Sequence, residues 1–148
     1  MIFSTFWQRL KTLETSISIT SPVTLSVKAA YWGAPPKAIN SLPTFINALS
    51  EPDRTLGFGS RDQRLKVQVQ CFVAKAGVED ERSCQIATAF WFAAKHAFDA
   101  DYTIDGNVSM ATLVGGDPTV PVILVHAGQA YIGFNAVLNL QVVEGFEF

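Results

Sequence analysis

The sequence predicts an α+β fold: a single domain in which an antiparallel β-sheet is flanked by an N-terminal helix and one long central helix. Apolar residues recur at helical spacing in residues 2–15 and again in residues 78–100. Residues 64–74 and 130–143 alternate between an apolar set and a second set of side chains, which is typical of strands with one buried face. The 148 residues suffice for one domain with a substantial core, and without a repeat or linker that domain spans residues 1–148.

Residues 2–15 form the first predicted helix. Its aromatic-rich apolar stripe consists of Ile2, Phe3, Phe6, Trp7, Leu10 and Leu13. Polar side chains, Glu14 among them, fall between these positions. We expect the stripe to pack on the sheet, with docking on a partner as the alternative, and we expect the chain to leave the helix before Pro22.

Two short strands and two loops follow. Residues 23–28 alternate apolar and polar side chains, and residues 42–49 predict a second strand that starts at a proline. Between them, Pro35 and Pro36 lack backbone donors and predict an extended, exposed loop. Residues 50–63 contain several glycine, proline and serine residues and predict a long turn.

The second half contains the longest helix and the clearest strands. Residues 64–74 place one apolar set on a single face, consisting of Leu65, Val67, Val69, Cys71 and Val73. The helix over residues 78–100 begins with three acidic residues, where the helix dipole favours negative charge. Residues 102–114 predict a strand or a hairpin bent at Asp105 and Gly106, and residues 120–126 and 130–143 predict two further strands.

Charge is scarce and unevenly distributed. Charged residues make up 16% of the chain, against a usual ~25%, which suggests that a partner covers part of the surface. Residues 1–95 contain eleven basic and seven acidic residues, a net +4, whereas residues 96–148 contain six acids and no Lys or Arg, a net −6. The total of −2 argues against a general nucleic-acid binder. Opposite charge on two parts of one chain suits head-to-tail association into a ring.

The sequence predicts neither secretion nor a membrane span. The N-terminus lacks a basic start followed by an apolar run, and no apolar stretch approaches about 18 residues. We therefore expect a cytoplasmic setting in which Cys71 and Cys84 stay reduced and pack as small hydrophobic side chains.

Motifs for catalysis, metals and phosphate are weak or missing, so we expect neither an enzyme nor a cofactor. Residues 57–61 resemble a glycine-rich phosphate loop but lack its third glycine and the following helix. The cysteines and histidines show no metal-ligand spacing. His96 beside Asp99 is better explained as a partner of the helix dipole than as a catalytic base. In a fold that encloses a pocket, His126 would be the best catalytic candidate.

Two clusters of charged residues are candidates for contacts with partners. The basic cluster consists of Arg54, Arg61, Arg64 and Lys66. It is either a solvated loop or a contact with an acidic surface, such as the acidic third of a neighbouring copy. The acidic cluster consists of Asp99, Asp101 and Asp105. It lacks the closing acid of a calcium loop, and helix-cap and turn chemistry explain it better than a metal does.

Taken in order, these elements resemble the tail terminator (tail completion) proteins of long-tailed bacteriophages. The resemblance covers nearly the whole chain: the first helix, the extended stretch at Leu42 and Pro43, the strand and long helix in residues 64–100, and a closing strand that contains Tyr131-Ile132-Gly133-Phe134. In that family the long helix is typically followed by a turn with the pattern Leu/Ile-Asp-Gly-x-Val. Here Ile104-Asp105-Gly106-Asn107-Val108 matches that pattern.

The resemblance implies a structural subunit that forms a hexameric ring on the last ring of the tail tube. Such a ring stops tube polymerisation and presents the surface that joins the head. The implied partners are further copies of the chain, the tail-tube protein and a head-completion or neck protein, in a virion assembled in the host cytoplasm. DNA passes through such a ring without sequence-specific recognition, and the family has no catalytic residue. By position, the loop at Pro35 and Pro36 and the turn in residues 50–63 are candidate contact arms.

Two alternatives to this function remain. The first is another neck, head-completion or tail-tube component. The second is a cone-shaped α+β protein that binds a small ligand or acts as an enzyme, with its aromatic residues lining a pocket.

Overall fold

The computed structural model describes residues 2–35, 37–50 and 63–142. Its elements, in chain order, are α1 (Phe3–Thr15), β1 (Ser18–Ile19), β2 (Leu25–Ser26), β3 (Ala29–Trp32), β4 (Thr44–Leu49), β5 (Gln63–Lys75), α2 (Asp80–Ala100), β6 (Met110–Gly115), β7 (Val122–His126) and β8 (Gln129–Val142). Two helices pack on a mostly antiparallel six-stranded sheet, which confirms the predicted α+β class.

The sheet is built around its two longest strands, β5 and β8, which pair antiparallel along most of their length. The strand order is β3-β4-β5-β8-β6, and β7 also pairs with β8. β6 pairs with the second half of β8 and β7 with its first half, so both lie along the same side of that strand. β3 therefore forms one edge of the sheet, and β6 and β7 together form the other. β1 and β2 make a separate two-stranded sheet.

Three sequence-based expectations need correction. β3 was not expected, and it pairs in parallel with β4, so the sheet is not wholly antiparallel. Within residues 23–28 only Leu25–Ser26 forms a strand. In residues 102–114 the strand begins at Met110, because the residues before it form the turn that reverses the chain after α2.

The main core lies between the helices and one face of the sheet. The apolar set predicted on β5 is buried there, with Val67, Val69 and Cys71 fully covered. On α2 the buried positions recur every three or four residues, at Ser83, Ala87, Phe90, Ala94 and Phe98. Phe134 on β8 lies at the centre, with its ring centroid 5.7 Å from that of Phe45 and 5.5 Å from that of Trp91.

The opposite face of the sheet is only partly covered. A smaller cluster at one end contains Ile39, Phe72, Leu124 and Tyr131. The rest of this face, which we call the uncovered face, consists of outward-pointing residues of β5, β6 and β8: Arg64, Lys66, Gln68, Met110, Thr112, Val114, Val137, Asn139 and Gln141. Its side chains are polar, basic or apolar, and none is acidic.

Candidate interaction surfaces

The basic cluster predicted from the sequence is only partly described by the structure. Arg64 is exposed on the uncovered face, opposite Gln141 of β8. Pro35 is half-buried in the loop after β3. Pro36, Arg54 and Arg61 lie outside the described residues.

The predicted acidic cluster is engaged within its own chain. Asp99 accepts a hydrogen bond from Lys95 Nζ at 3.1 Å, one helical turn away. Asp101 Oδ1 accepts a hydrogen bond from the backbone N–H of Asp105 at 3.0 Å. The Asp105 side chain in turn pairs with Arg9 of α1, Nε to Oδ2, at 3.0 Å. Asp105 therefore joins the turn after α2 to α1, whereas Asp99 and Asp101 make contacts within α2 and this turn.

The turn that resembles the family pattern has a defined structural role. Ile104, Asp105 and Gly106 all have positive φ, at 46°, 54° and 78°, a conformation that is uncommon for a β-branched residue. The Asn107 side chain donates to the Ile104 carbonyl at 2.8 Å, and the Ile104 side chain is fully buried. Val108 is buried as well. The pattern thus supplies two core side chains and a left-handed reversal between α2 and β6.

Arg64 and the acidic turn after α2 lie at the same end of the sheet. Arg64 lies opposite Gln141, and Gln141 lies opposite Met110 at the start of β6. The backbone N–H of Ala111, the next residue, donates to the Tyr102 carbonyl in the acidic turn at 2.6 Å. Arg64 is therefore near the acidic turn but on the other face of the sheet.

A groove of about 380 Å³ lies on the uncovered face. It is lined by Arg64, Leu65, Lys66, Met110, Thr112, Asn139, Leu140 and Gln141. The lining offers amide, hydroxyl and cationic groups, but it contains no histidine or carboxylate that would serve as a general base. Chemically, the groove suits contact with polar or negatively charged groups.

A buried polar pair that was not predicted from the sequence lies beneath α1. Glu14 and Asn47 are both fully buried, and Asn47 Nδ2 donates to Glu14 Oε1 at 2.6 Å. Asn47 Nδ2 also donates to the Tyr31 carbonyl at 3.2 Å, so this amide joins α1, β3 and β4. Burial raises the pKa of Glu14 from 4.5 to about 8, against the opposing effect of the Asn47 hydrogen bond. Helical spacing contained a signal for this position, since Glu14 follows the buried Leu10 by one turn.

Cys71 lies in the same core, and its buried thiol has little tendency to ionise. Burial raises the pKa of its thiol well above 9.0, and the nearby Glu14 carboxylate adds to the shift. Both cysteines are free, and Cys84 is half-buried on α2. The structure therefore gives Cys71 the features of a packed hydrophobic side chain.

His126 ends β7 beside the second core cluster. Its ring packs edge-on against Phe72, with centroids 6.3 Å apart. Among the residues described, no group of three or more His, Cys, Asp and Glu side chains could hold a metal ion. Within the same residues, none of the helices is both long and apolar enough to span a membrane.

The edge formed by β6 and β7 is unusually apolar for an exposed surface. Four large hydrophobic side chains on these strands are exposed, at 50% for Met110, 45% for Val114, 60% for Ile123 and 69% for Val125. Neither strand contains Lys, Arg, Asp, Glu or Pro. Monomeric proteins commonly protect edge strands with such residues, because an exposed edge is a template for pairing with another chain. The β6–β7 edge, residues 110–115 and 122–126, is therefore the strongest candidate for a protein contact.

Comparisons of the chain with protein-family models, curated proteins and solved structures found no match.

Proposed function

We propose that this protein is a ring-forming structural subunit that caps the tail tube of a long-tailed bacteriophage. In this role it ends tube polymerisation, provides the surface that joins the head and leaves a channel for DNA. The observation on which the proposal rests most directly is the uncharged, apolar β6–β7 edge. A subunit that completes its surface against other copies needs such an edge, whereas an isolated monomer has reason to avoid it.

Two further features support a tail terminator over other ring proteins. The order of elements, with a long helix between the strands β5 and β6, follows the resemblance described above. The Ile104 to Val108 turn matches the family pattern at each specified position and builds the junction after that helix. The proposed partners are further copies of the chain, the tail-tube protein and a head-completion or neck protein, and the proposed location is the virion.

The test is assembly on tubes. The chain should be co-expressed with the tail-tube protein encoded in the same genome, and the products examined by negative-stain electron microscopy and native mass spectrometry. We expect tubes of restricted length with extra density at one end, and rings of the chain bound to them. Tubes of the same length with and without the chain, combined with a chain that stays monomeric in both preparations, would contradict the proposal.

A further inference from the structure

The two edges of the sheet differ in charge. Described residues 27–50, which include β3 and its flanking loops, contain Lys28 and Lys37, both exposed, and no acid. Described residues 96–142, which include β6 and β7, contain four acids and no Lys or Arg. Asp117 is exposed in the loop that joins β6 to β7. Lys28 and Lys37 beside β3 and Asp117 between β6 and β7 are therefore complementary in charge between two copies of the chain.

Both edges of the sheet also carry apolar side chains on the helix side. Ile123 lies opposite Ile132, whose side chain is in the helix-side core, so Ile123 points toward the same side of the sheet. At the other edge, Trp32 is half-buried on the helix side, with its ring centroid 4.9 Å from that of Phe3 and 5.6 Å from that of Trp7. Ile2, next to Phe3, is 51% exposed. Each edge thus presents apolar surface on the same side of the sheet.

Strand direction makes the two edges compatible. β3 is parallel to β4, and β4 and β8 are both antiparallel to β5, so β3 and β8 run in the same direction. β6 and β7 are antiparallel to β8 and therefore antiparallel to β3. Rotation about an axis parallel to the strands preserves these directions in every copy. The β6–β7 edge of one copy would then meet the β3 edge of the next in antiparallel orientation.

We infer that the β6–β7 edge of one copy docks against the β3 edge of the next copy, with the loop that joins β6 to β7 and the start of β7 facing β3, because Gly115 is level with Trp32 and Val122 with Ala29 across the sheet. The contact is head-to-tail, so each copy retains one edge of each kind and successive rotations close a ring. This inference rests on the proposed function, because it assigns the surface through which the ring forms.

The test uses variants that block one edge at a time. Ile123→Lys with Val125→Lys places positive charge on the β6–β7 edge, and Ile2→Lys places charge of the same sign at the β3 edge, so the two altered edges repel each other. Phe92→Lys is the matched control, since Phe92 is a large apolar side chain on α2, 66% exposed, that lies on neither edge. Sedimentation velocity over a concentration series should show that each edge variant self-associates at least about tenfold more weakly than the unmodified chain. The control should assemble normally.

Mixing the two edge variants gives the sharper result. Each retains one competent edge, so an equimolar mixture should form a one-to-one dimer that grows no further. Normal assembly of both edge variants would overturn the edge assignment and leave the ring proposal standing. A chain that stays monomeric without variants, and also on tail tubes, would overturn both.

Discussion

The Glu14 carboxyl lies between α1 and the sheet, and within the described residues its hydrogen bond comes from Asn47 Nδ2. Glu14 Oε2 and Asn47 Oδ1 are buried oxygens without a partner among those residues. Two buried acceptors without hydrogen-bond partners lower the free energy of unfolding. Protonation of the carboxyl turns one of these oxygens into a donor. The neutral acid is therefore the form that suits this site, in keeping with a pKa raised to about 8.

This protonation makes folding stability depend on pH. Between the unfolded pKa of 4.5 and the folded pKa of about 8, the folded state holds a proton that the unfolded state releases. The free energy of unfolding should therefore fall as pH rises through this window, by at most about 1.4 kcal/mol per pH unit from this group. Glu14→Gln, a neutral amide of the same shape, should remove that component and make the protein more stable than the unmodified chain near pH 8.

Urea unfolding at several pH values between about 5 and about 8 measures this effect. Glu81→Gln is the matched control, because Glu81 is an exposed residue in the first turn of α2. We expect the control to keep the pH dependence of the unmodified chain. Identical slopes for the Glu14→Gln variant and the unmodified chain would show that Glu14 is ionised in the folded protein.

Single-residue environments were predictable from the sequence only where periodicity was simple. Alternation correctly placed Val67 and Val69 inside and Lys66 outside. Glu14 was expected on the polar side of α1, because residue type outweighed its helical spacing. The partners of the acidic cluster could not be predicted, since the contact between Arg9 and Asp105 depends on how α1 packs beside the end of α2.

At the scale of elements, the pairing of β5 with β8 depends on a glycine at their irregular point. The register between the strands shifts between Phe72 and Ala74, and Gly133 lies opposite Phe72. A Cβ added at Gly133 would lie 1.8 Å from the backbone carbonyl oxygen of Cys71. Because that obstacle is backbone rather than a flexible side chain, the two central strands would have to separate locally to admit any side chain.

Gly133→Ala should therefore destabilise the fold severely, by about 3 kcal/mol or more. The free energy of unfolding from urea titration, supported by the melting temperature, measures the loss. Asn139→Ala is the matched control on the same strand, because Asn139 is exposed on the uncovered face. Its effect should stay within about 0.5 kcal/mol. Equal stability of the two variants would mean that the strands do not approach as closely as described.

The predictability of each element follows its length and its pattern. β5 and β8 alternate over 13 and 14 residues, and their existence was predicted correctly. β3 has four residues, Ala-Ala-Tyr-Trp, without alternation, and its parallel pairing with β4 is decided by tertiary contacts. Residues 102–114 were expected to form a strand or a hairpin bent at Asp105 and Gly106; three successive residues with positive φ reverse the chain at that bend, and the strand begins only at Met110.

At the scale of the whole molecule, basic and acidic residues that are far apart in the sequence lie at opposite edges of the sheet. Lys28 and Lys37 lie beside β3, and Asp117 lies between β6 and β7. The excess of acid after residue 95 was predictable from composition alone. Its position could not be predicted, because that depends on β6 and β7 joining the sheet on the side of β8 away from β5, at the opposite end from β3. In a head-to-tail ring this arrangement brings the acidic residues of one copy toward Lys28 and Lys37 of the next.

Charge reversal should therefore weaken assembly at either edge and restore it when both edges are reversed. Lys28→Glu and Asp117→Lys should each raise the Kd for self-association, by about fivefold at low salt, since both residues are exposed. The double variant should return most of the way to the unmodified affinity, because the edges are again complementary. Light scattering at low and at about 1 M salt measures these differences, which should shrink as the Debye length falls to about 3 Å.

Arg82→Glu is the control that separates local complementarity from net charge. Arg82 is exposed near the start of α2 and lies on neither edge strand, and its reversal changes the net charge of the chain by the same amount as Lys28→Glu. If total charge governed assembly, Arg82→Glu would weaken it as much as Lys28→Glu does, and Asp117→Lys, which changes the net charge in the opposite direction, would not weaken it. We expect instead that Arg82→Glu assembles like the unmodified chain, because complementarity acts between groups within about a Debye length of each other. Weakening by Arg82→Glu, or a double variant no stronger than its parents, would rule out this edge-to-edge arrangement of charge.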